Sequence, residues 1–282
     1  MITRHSRKRP VDSVPFSCCS GKSLMPSAPL HAVRLALALC GAILLAHASP
    51  LPPEEAAAEI VRKADEKMRG ASSYAEITMT IVKPDWSRSV SMKAWSFRKE
   101  YGLVLITDPE RDRGTVTLKR KNEVWNWLPG IERVIKIPPS MMLQSWLGSD
   151  FTNDDLVKES SLVDDYTQTI SGDSVIAGRQ CYKITLIPKE SAPVVWGKVV
   201  LFITREGYLE LRSEMYDEEG ALSRILTAGR IRTIGSRTLP TYWEMRPADK
   251  PNQKTVLEYK VWRFDIPISE SFFSEQNMRR VR

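Results

Sequence analysis

From Tyr74 onward the apolar residues of this chain keep returning at every second position, in short runs separated by turn signals, and that period dictates what the chain can build. Ile77, Met79 and Ile81 alternate with Glu76, Thr78 and Thr80, which makes one side of the segment apolar and the other wet, as in a half-buried strand. Strand-like runs follow at 89–98, 102–107, 115–119, 123–127 and 132–137, with turns at Pro84-Asp85 and Pro129-Gly130. A second series runs through 166–170, 179–187, 198–204, 208–216, 223–234, 238–246 and 255–264. Gly172-Asp173, Arg205-Glu206-Gly207, Asp217-Glu218-Glu219-Gly220 and Asp249-Lys250-Pro251-Asn252 supply its turns. No linker, low-complexity stretch or repeat separates the two series. The expectation is one domain over residues 49–282, mainly β with few helices.

Helical signals are sparse. Pro52-Pro53 opens a segment with Glu54 and Glu55 early, Lys63, Lys67 and Arg69 late and Gly70 at its end, the charge order and punctuation of a helix. Ile60, Ala64 and Met68, with Ala57 and Val61 beside them, give it one narrow apolar stripe. Between the two series, Pro138-Pro139 stops the alternation, and 140–148 places Met142, Trp146, Leu143 and Leu147 at helical spacing. This predicts a brief helix or lid-like insertion. Asn153-Asp154-Asp155 after it suggests the cap of another short turn.

A long antiparallel sheet must curl, and its apolar face needs cover from another sheet, a helix or a ligand. One helix and one short insertion are little cover for about a dozen strands. Either the sheet closes into a filled barrel, or it forms a curved, incomplete (half-open) β-barrel with a helical plug or lid and room for an apolar guest. The candidate lipid-binding residues on the alternating apolar positions are Ile77, Met79, Ile81, Trp95, Phe97, Leu103, Leu105, Trp125, Trp127, Val199, Leu201, Ile203, Trp243 and Met245, with Met141, Met142 and Trp146 from the insertion. Methionine and tryptophan adapt to irregular apolar guests. The competing reading is that the same side chains pack a dry core.

The N-terminus reads as a leader. Arg34 precedes an apolar run, 35–46, that closes on Ala46-His47-Ala48, the layout of a cleavable secretory signal peptide with cleavage expected after Ala48. The run is shorter than the ~20 residues a spanning helix needs. Cys40 sits in a superficial lipoprotein box, but Leu39 is large where a small residue is wanted. Residues 1–24 read as an unfolded basic extension, and Met25 is an alternative start. An exported, periplasmic protein is the expectation.

Removing 1–48 takes away Arg4, Arg7, Lys8, Arg9, Lys22 and Arg34 against Asp12 alone, so the net charge of +7 falls to near balance. With no basic block left, nucleic acid is not expected as a partner. His5, His31, His47, Cys18, Cys19 and Cys40 go too, leaving Cys181 and no histidine. No internal disulfide, Cys/His zinc set or Ser-His-Asp machinery can be assembled from what remains. Paired acids could serve acid-base work or a hard metal. However, Asp108, Glu110 and Asp112, Asp154 and Asp155, Asp164 and Asp165, and Asp217 to Glu219 fall in turns, where solvated Asp and Glu are the simpler reading. Neither an enzyme nor a cofactor is expected.

Several segments together carry a likeness: Leu147-Gly148-Ser149-Asp150-Phe151-Thr152-Asn153-Asp154-Asp155-Leu156, the preceding Pro138-Pro139-Ser140-Met141-Met142, Trp125-Asn126-Trp127-Leu128-Pro129, Gly178-Arg179-Gln180-Cys181-Tyr182 and Phe272-Phe273-Ser274. In these the chain resembles the LolA/LolB-like periplasmic lipoprotein carrier superfamily, and within it the outer membrane lipoprotein-sorting protein branch. The resemblance implies an incomplete β-barrel under a helical lid that shields the acyl chains of lipoproteins or lipids. It also implies a monomer that exchanges cargo with an inner-membrane transporter or an outer-membrane acceptor, without catalysis or cofactor. The chain is longer than the small carriers, and no one position matches their lid-locking arginine. A non-carrier envelope adaptor that binds a membrane transporter or other envelope protein is the alternative, and an acid-dependent hydrolase resting on the carboxylate pairs is a third.

Overall fold

The computed structural model describes residues 53–158, 162–190, 192 and 194–282; the leader read from the sequence lies outside the described residues. The alternating runs become thirteen strands. The first series gives β1 (Ser72–Val82), β2 (Ser87–Phe97), β3 (Tyr101–Asp108), β4 (Val116–Arg120), β5 (Glu123–Leu128) and β6 (Arg133–Lys136). The second gives β7 (Tyr166–Ile176), β8 (Arg179–Pro188), β9 (Lys198–Thr204), β10 (Glu210–Tyr216), β11 (Leu222–Ile234), β12 (Arg237–Pro247) and β13 (Lys254–Phe264). All join one antiparallel sheet in the order β6-β5-β4-β3-β2-β1-β13-β12-β11-β10-β9-β8-β7. Each series is a meander, and the two are seamed where β1 pairs with β13 along its length. The sheet curves but stays open, because β6 and β7, adjacent in the chain, are its two free edges.

Two turn and helix readings need correction. Gly172-Asp173 is not a turn but lies within β7, at a register shift between Ile170 and Gly172. The turn comes at Ala177-Gly178, where φ is +48° and +76°. The 140–148 insertion is not one helix. It forms two 3-10 turns, Pro139–Met141 and Trp146–Gly148, and Leu147 inside the second has φ +52°, a left-handed value that interrupts any helical repeat.

Helix α1 (Pro53–Arg69) lies on the β7 to β9 end of the sheet. Its predicted stripe is buried as expected: Ala57, Ile60, Val61 and Ala64 pack against Tyr166, Ile184, Leu186, Val199, Leu201 and Ile203. Gly70, at φ +66°, ends the helix and returns its N–H to the Glu66 carbonyl at 3.1 Å. Arg237 of β12 caps the same end by donating to the Lys67 carbonyl at 2.9 Å.

Residues directly opposite in paired strands share a face, so the register assigns the sides. Ile77 sits across from Met92, Met79 from Val90 and Leu257, and Trp243 from Leu257. These residues make one face. Trp95 sits across from Leu103, Leu103 from Leu118 and Leu118 from Trp125, and they make the other. That second face is covered by the C-terminal segment, in which Phe273 and Met278 are fully buried against Leu103, Leu105, Val116 and Leu118.

On β12 a polar cluster supplies a pH signature. Burial works against the Glu244 carboxylate, but hydrogen bonds from Arg246, Tyr242 and Lys254 outweigh it and hold its pKa at about 2, below its ordinary 4.5. The stabilisation is therefore complete above pH 4.5 and is lost as pH falls toward 2. Glu244→Gln is expected to cost about 1 kcal/mol at neutral pH and to flatten the acid limb of stability against pH. Urea midpoints collected from neutral to acid pH check it, and parallel curves for the two proteins would refute it.

Candidate functional site

Between the free edges the chain leaves the sheet, and residues 137–158 cross one of its faces. Helix α2 (Asn153–Lys158) begins with a capping box. The Thr152 hydroxyl accepts from the Asp155 N–H at 3.2 Å, and the Asp155 carboxylate accepts from the Thr152 N–H at 2.7 Å. The same carboxylate then takes both terminal nitrogens of Arg224, each at 2.9 Å. Arg224 belongs to β11, is almost fully buried, donates also to the Asp150 carbonyl at 2.9 Å and lies over the Trp196 ring at 4.5 Å. A planar guanidinium meeting a carboxylate in two parallel bonds is the strong form of this contact. Among the described residues the Nε of Arg224 is buried without an acceptor.

Asp150 makes the second fastening. Its carboxylate receives Lys83 Nζ at 2.7 Å, the Thr255 hydroxyl at 2.7 Å and Gln253 Nε2, while its N–H donates to Thr255 Oγ1 at 2.9 Å. Farther along, Arg88 donates to the Leu147 carbonyl, and the Trp146 indole N–H donates to Thr117 Oγ1 at 3.3 Å. Lys83, Arg88 and Thr117 come from the β1 to β6 meander, and Arg224, Gln253 and Thr255 from the other. The segment is thus a strap pinned to both halves of the sheet, largely by polar contacts. The Asp154-Asp155 pair read from sequence as solvated needs correction: within the strap Asp154 is buried and Asp155 half-buried against Arg224.

The apolar seat under the strap is narrower. Trp146, with Leu147 and Leu156, packs on Ala75, Ile77, Met79, Ile81, Val90, Met92 and Ile106. Of the lining residues predicted from sequence, the structure brings Ile77, Met79, Ile81 and Trp146 together here, and Trp243 and Met245 lie on the same sheet face. Leu201 and Ile203 are beneath α1. Trp95, Phe97, Leu103, Leu105, Trp125 and Trp127 are not with them, because they belong to the opposite face under the C-terminal segment. Met142 packs on Val124 and Ile137, and Met141 is exposed. The predicted set therefore divides into two faces instead of lining one space. A surface cleft of about 860 Å³ opens at the strap's edge, beside Leu147 and Gly148. Arg224 and Asp150 were missed as site residues; the one sequence signal for Arg224 is a cation in register with Leu226 and Ala228 on an apolar face.

Chemistry beyond binding finds little material. Among the described residues no group of three His, Cys, Asp or Glu is placed to hold a metal ion, and Cys181 is buried, which pushes its thiol pKa up. No described helix is long and apolar enough to cross a membrane.

A family model described as an uncharacterized protein matches residues 98–280. No curated protein sequence matches the chain. Solved structures do. A DUF1329 family protein from Desulfovibrio piger is 23% identical, with a TM-score of 0.73 over 80% of this chain and 99% of that one. A domain described as an outer membrane lipoprotein-sorting protein, from Vibrio parahaemolyticus, is 22% identical at a TM-score of 0.72, over 80% of this chain and 100% of that one. A LolA superfamily protein from Nitrosomonas europaea is 22% identical at 0.67, over 78% of this chain and 98% of that one. At these identities the likeness establishes an open, LolA-like curved sheet. The chain belongs to the uncharacterized-protein family whose model spans residues 98–280, and its fold is that of the LolA-like proteins.

Proposed function

We propose that the protein is a periplasmic carrier that takes the acyl chains of lipoproteins or lipids onto the strapped face of its sheet when residues 137–158 lift away, and passes them toward the outer membrane. The observation that carries this reading is the mismatch between seat and fastening. The face under the strap is apolar, from Met79 and Ile81 to Met92 and Ile106, yet beyond Trp146, Leu147 and Leu156 the strap is fastened to it by the polar contacts of Arg224, Lys83, Thr255 and Arg88. Buried ion pairs contribute little net stability, because desolvation offsets their attraction. An acyl chain instead gains about 0.8 kcal/mol per buried methylene, so one long chain can outweigh the strap's hold. In the described arrangement the protein's own Trp146 and Leu147 lie on the surface the cargo would take. The lipoprotein-sorting description of the similar Vibrio domain and the export signal read from sequence point to the same class of cargo. A transporter in the inner membrane and an acceptor in the outer membrane are the partners this role requires, and the carrier works as a monomer.

Protein extracted from the periplasm should release acyl lipid in near-stoichiometric amount when organic extracts are read by mass spectrometry. Recovery of no lipid, together with no uptake of a fluorescent fatty acid offered to the purified protein, would falsify the carrier. The adaptor alternative is favoured by exposed Ile131, Ile135 and Leu143 near the β6 edge. A stoichiometric protein partner in the absence of lipid would decide for it.

A further inference from the structure

The cleft at the strap's edge has a composition that the carrier role leaves unused. Its walls include Trp86, Arg88, Arg111, Asp112, Leu147 and Gly148. Two guanidiniums face one carboxylate there: Asp112 lies 3.6 Å from Arg88 and 3.2 Å from Arg111. The cleft therefore keeps an uncompensated positive charge. Arg88 is also short of acceptors, since its Nη2 holds the Leu147 carbonyl while its Nε is buried with none among the described residues. The Arg111 side chain is 63% exposed and can swing. Beside them Trp86, 46% exposed, offers a ring with an apolar body and a polar edge. Leu147 joins this cleft to the apolar seat, because it lines the one and packs on the other.

We propose that this cleft receives the anionic oxygens of a phosphate or carboxylate headgroup whose acyl chain lies beneath the strap, with Arg88 and Arg111 as its ligands. The inference rests on the carrier reading and adds the class of cargo: an acidic amphiphile in preference to a neutral one. An incoming oxyanion competes with the Leu147 carbonyl for the Arg88 guanidinium. Headgroup binding thereby loosens the strap at the point where Leu147 must leave the seat. Charge-assisted bonds to a guanidinium are about twice as strong as neutral ones, which gives the preference its size.

The test uses the whole mature chain and three soluble probes in calorimetry: dihexanoyl phosphatidic acid, dihexanoylglycerol with the same chains but no phosphate, and inorganic phosphate. Phosphatidic acid is expected to bind about tenfold or more tighter than the diglyceride, with inorganic phosphate weaker than both. Arg111→Gln should shrink that ratio severalfold and Arg88→Gln should abolish it. Taking the ratio within each variant cancels any change in the strap's own position, and thermal melts confirm that each variant folds. Equal affinity for phosphatidic acid and diglyceride overturns the headgroup site while leaving the carrier standing. A preference that survives both substitutions overturns the assignment to this cleft. Inorganic phosphate binding as tightly as phosphatidic acid shows a free-anion site and overturns the amphiphile. Failure of both lipids to bind overturns the inference together with the carrier reading beneath it.

Discussion

Asp155→Ala is expected to cost about 3 kcal/mol of folding free energy, because it leaves the Arg224 guanidinium buried without its carboxylate. The size follows from position. Arg224 is almost fully buried on β11, and its other contacts, the Asp150 carbonyl and the Trp196 ring, do not neutralise it. Asp155 also closes the capping box of α2, whose loss alone is worth about 1 kcal/mol. The paired replacement Arg224→Met with Asp155→Leu should recover most of the loss, since exchanging both charges for apolar volume is near neutral where removing one is not. Urea denaturation of the parent, Asp155→Leu, Arg224→Met and the double variant gives the coupling energy. Hydrogen exchange should place the loosening in residues 137–158 and spare β1 and β13. Uptake of a fluorescent fatty acid should quicken in Asp155→Ala. A single variant within about 0.5 kcal/mol of the parent would mean that the ion pair does not fasten the strap.

Phe273→Ala should cost about 3 to 5 kcal/mol without changing lipid uptake. Its ring is fully buried between Phe97 and Tyr101, with centroids 6.5 and 5.8 Å away. It anchors the C-terminal segment, which among the described residues covers the β3 to β5 region on the face away from the strap. Phe272, only partly buried, should cost clearly less. Urea midpoints read the stability, and fatty-acid uptake under folding conditions reads the function. Equal loss at positions 272 and 273, or lost uptake in a protein still folded, would contradict the two-face account.

Why the strands were legible and the site was not follows from the kind of signal each leaves. An alternation such as Ile77, Met79, Ile81 reports a buried face directly, and Pro129-Gly130 or Asp217 to Gly220 reports a turn. Gly172-Asp173 misled because glycine serves a bulge inside a strand as readily as a turn between two. At 140–148, helical spacing was real, but the left-handed Leu147 broke the repeat, and no pattern of side chains encodes a backbone angle. Alternation also leaves open which face meets which cover. In β3 both sets are apolar, Leu103 and Leu105 on one side and Val104 and Ile106 on the other, so Trp95 and Trp125 were assigned to the strap's face when they belong to the tail's. The acids at 154 and 155 carry the mark of a solvated turn, and only the distant arginine at 224 makes Asp155 a fastening.

The two free edges are neighbours in the chain, and the strap of residues 137–158 follows directly on the first of them. If the two meanders spread apart, the strap, pinned to both, must either give up its pins or resist. Widening of the mouth and release of the cover are thereby one movement, and a cargo that wedges the rim open needs no separate device to uncover the floor.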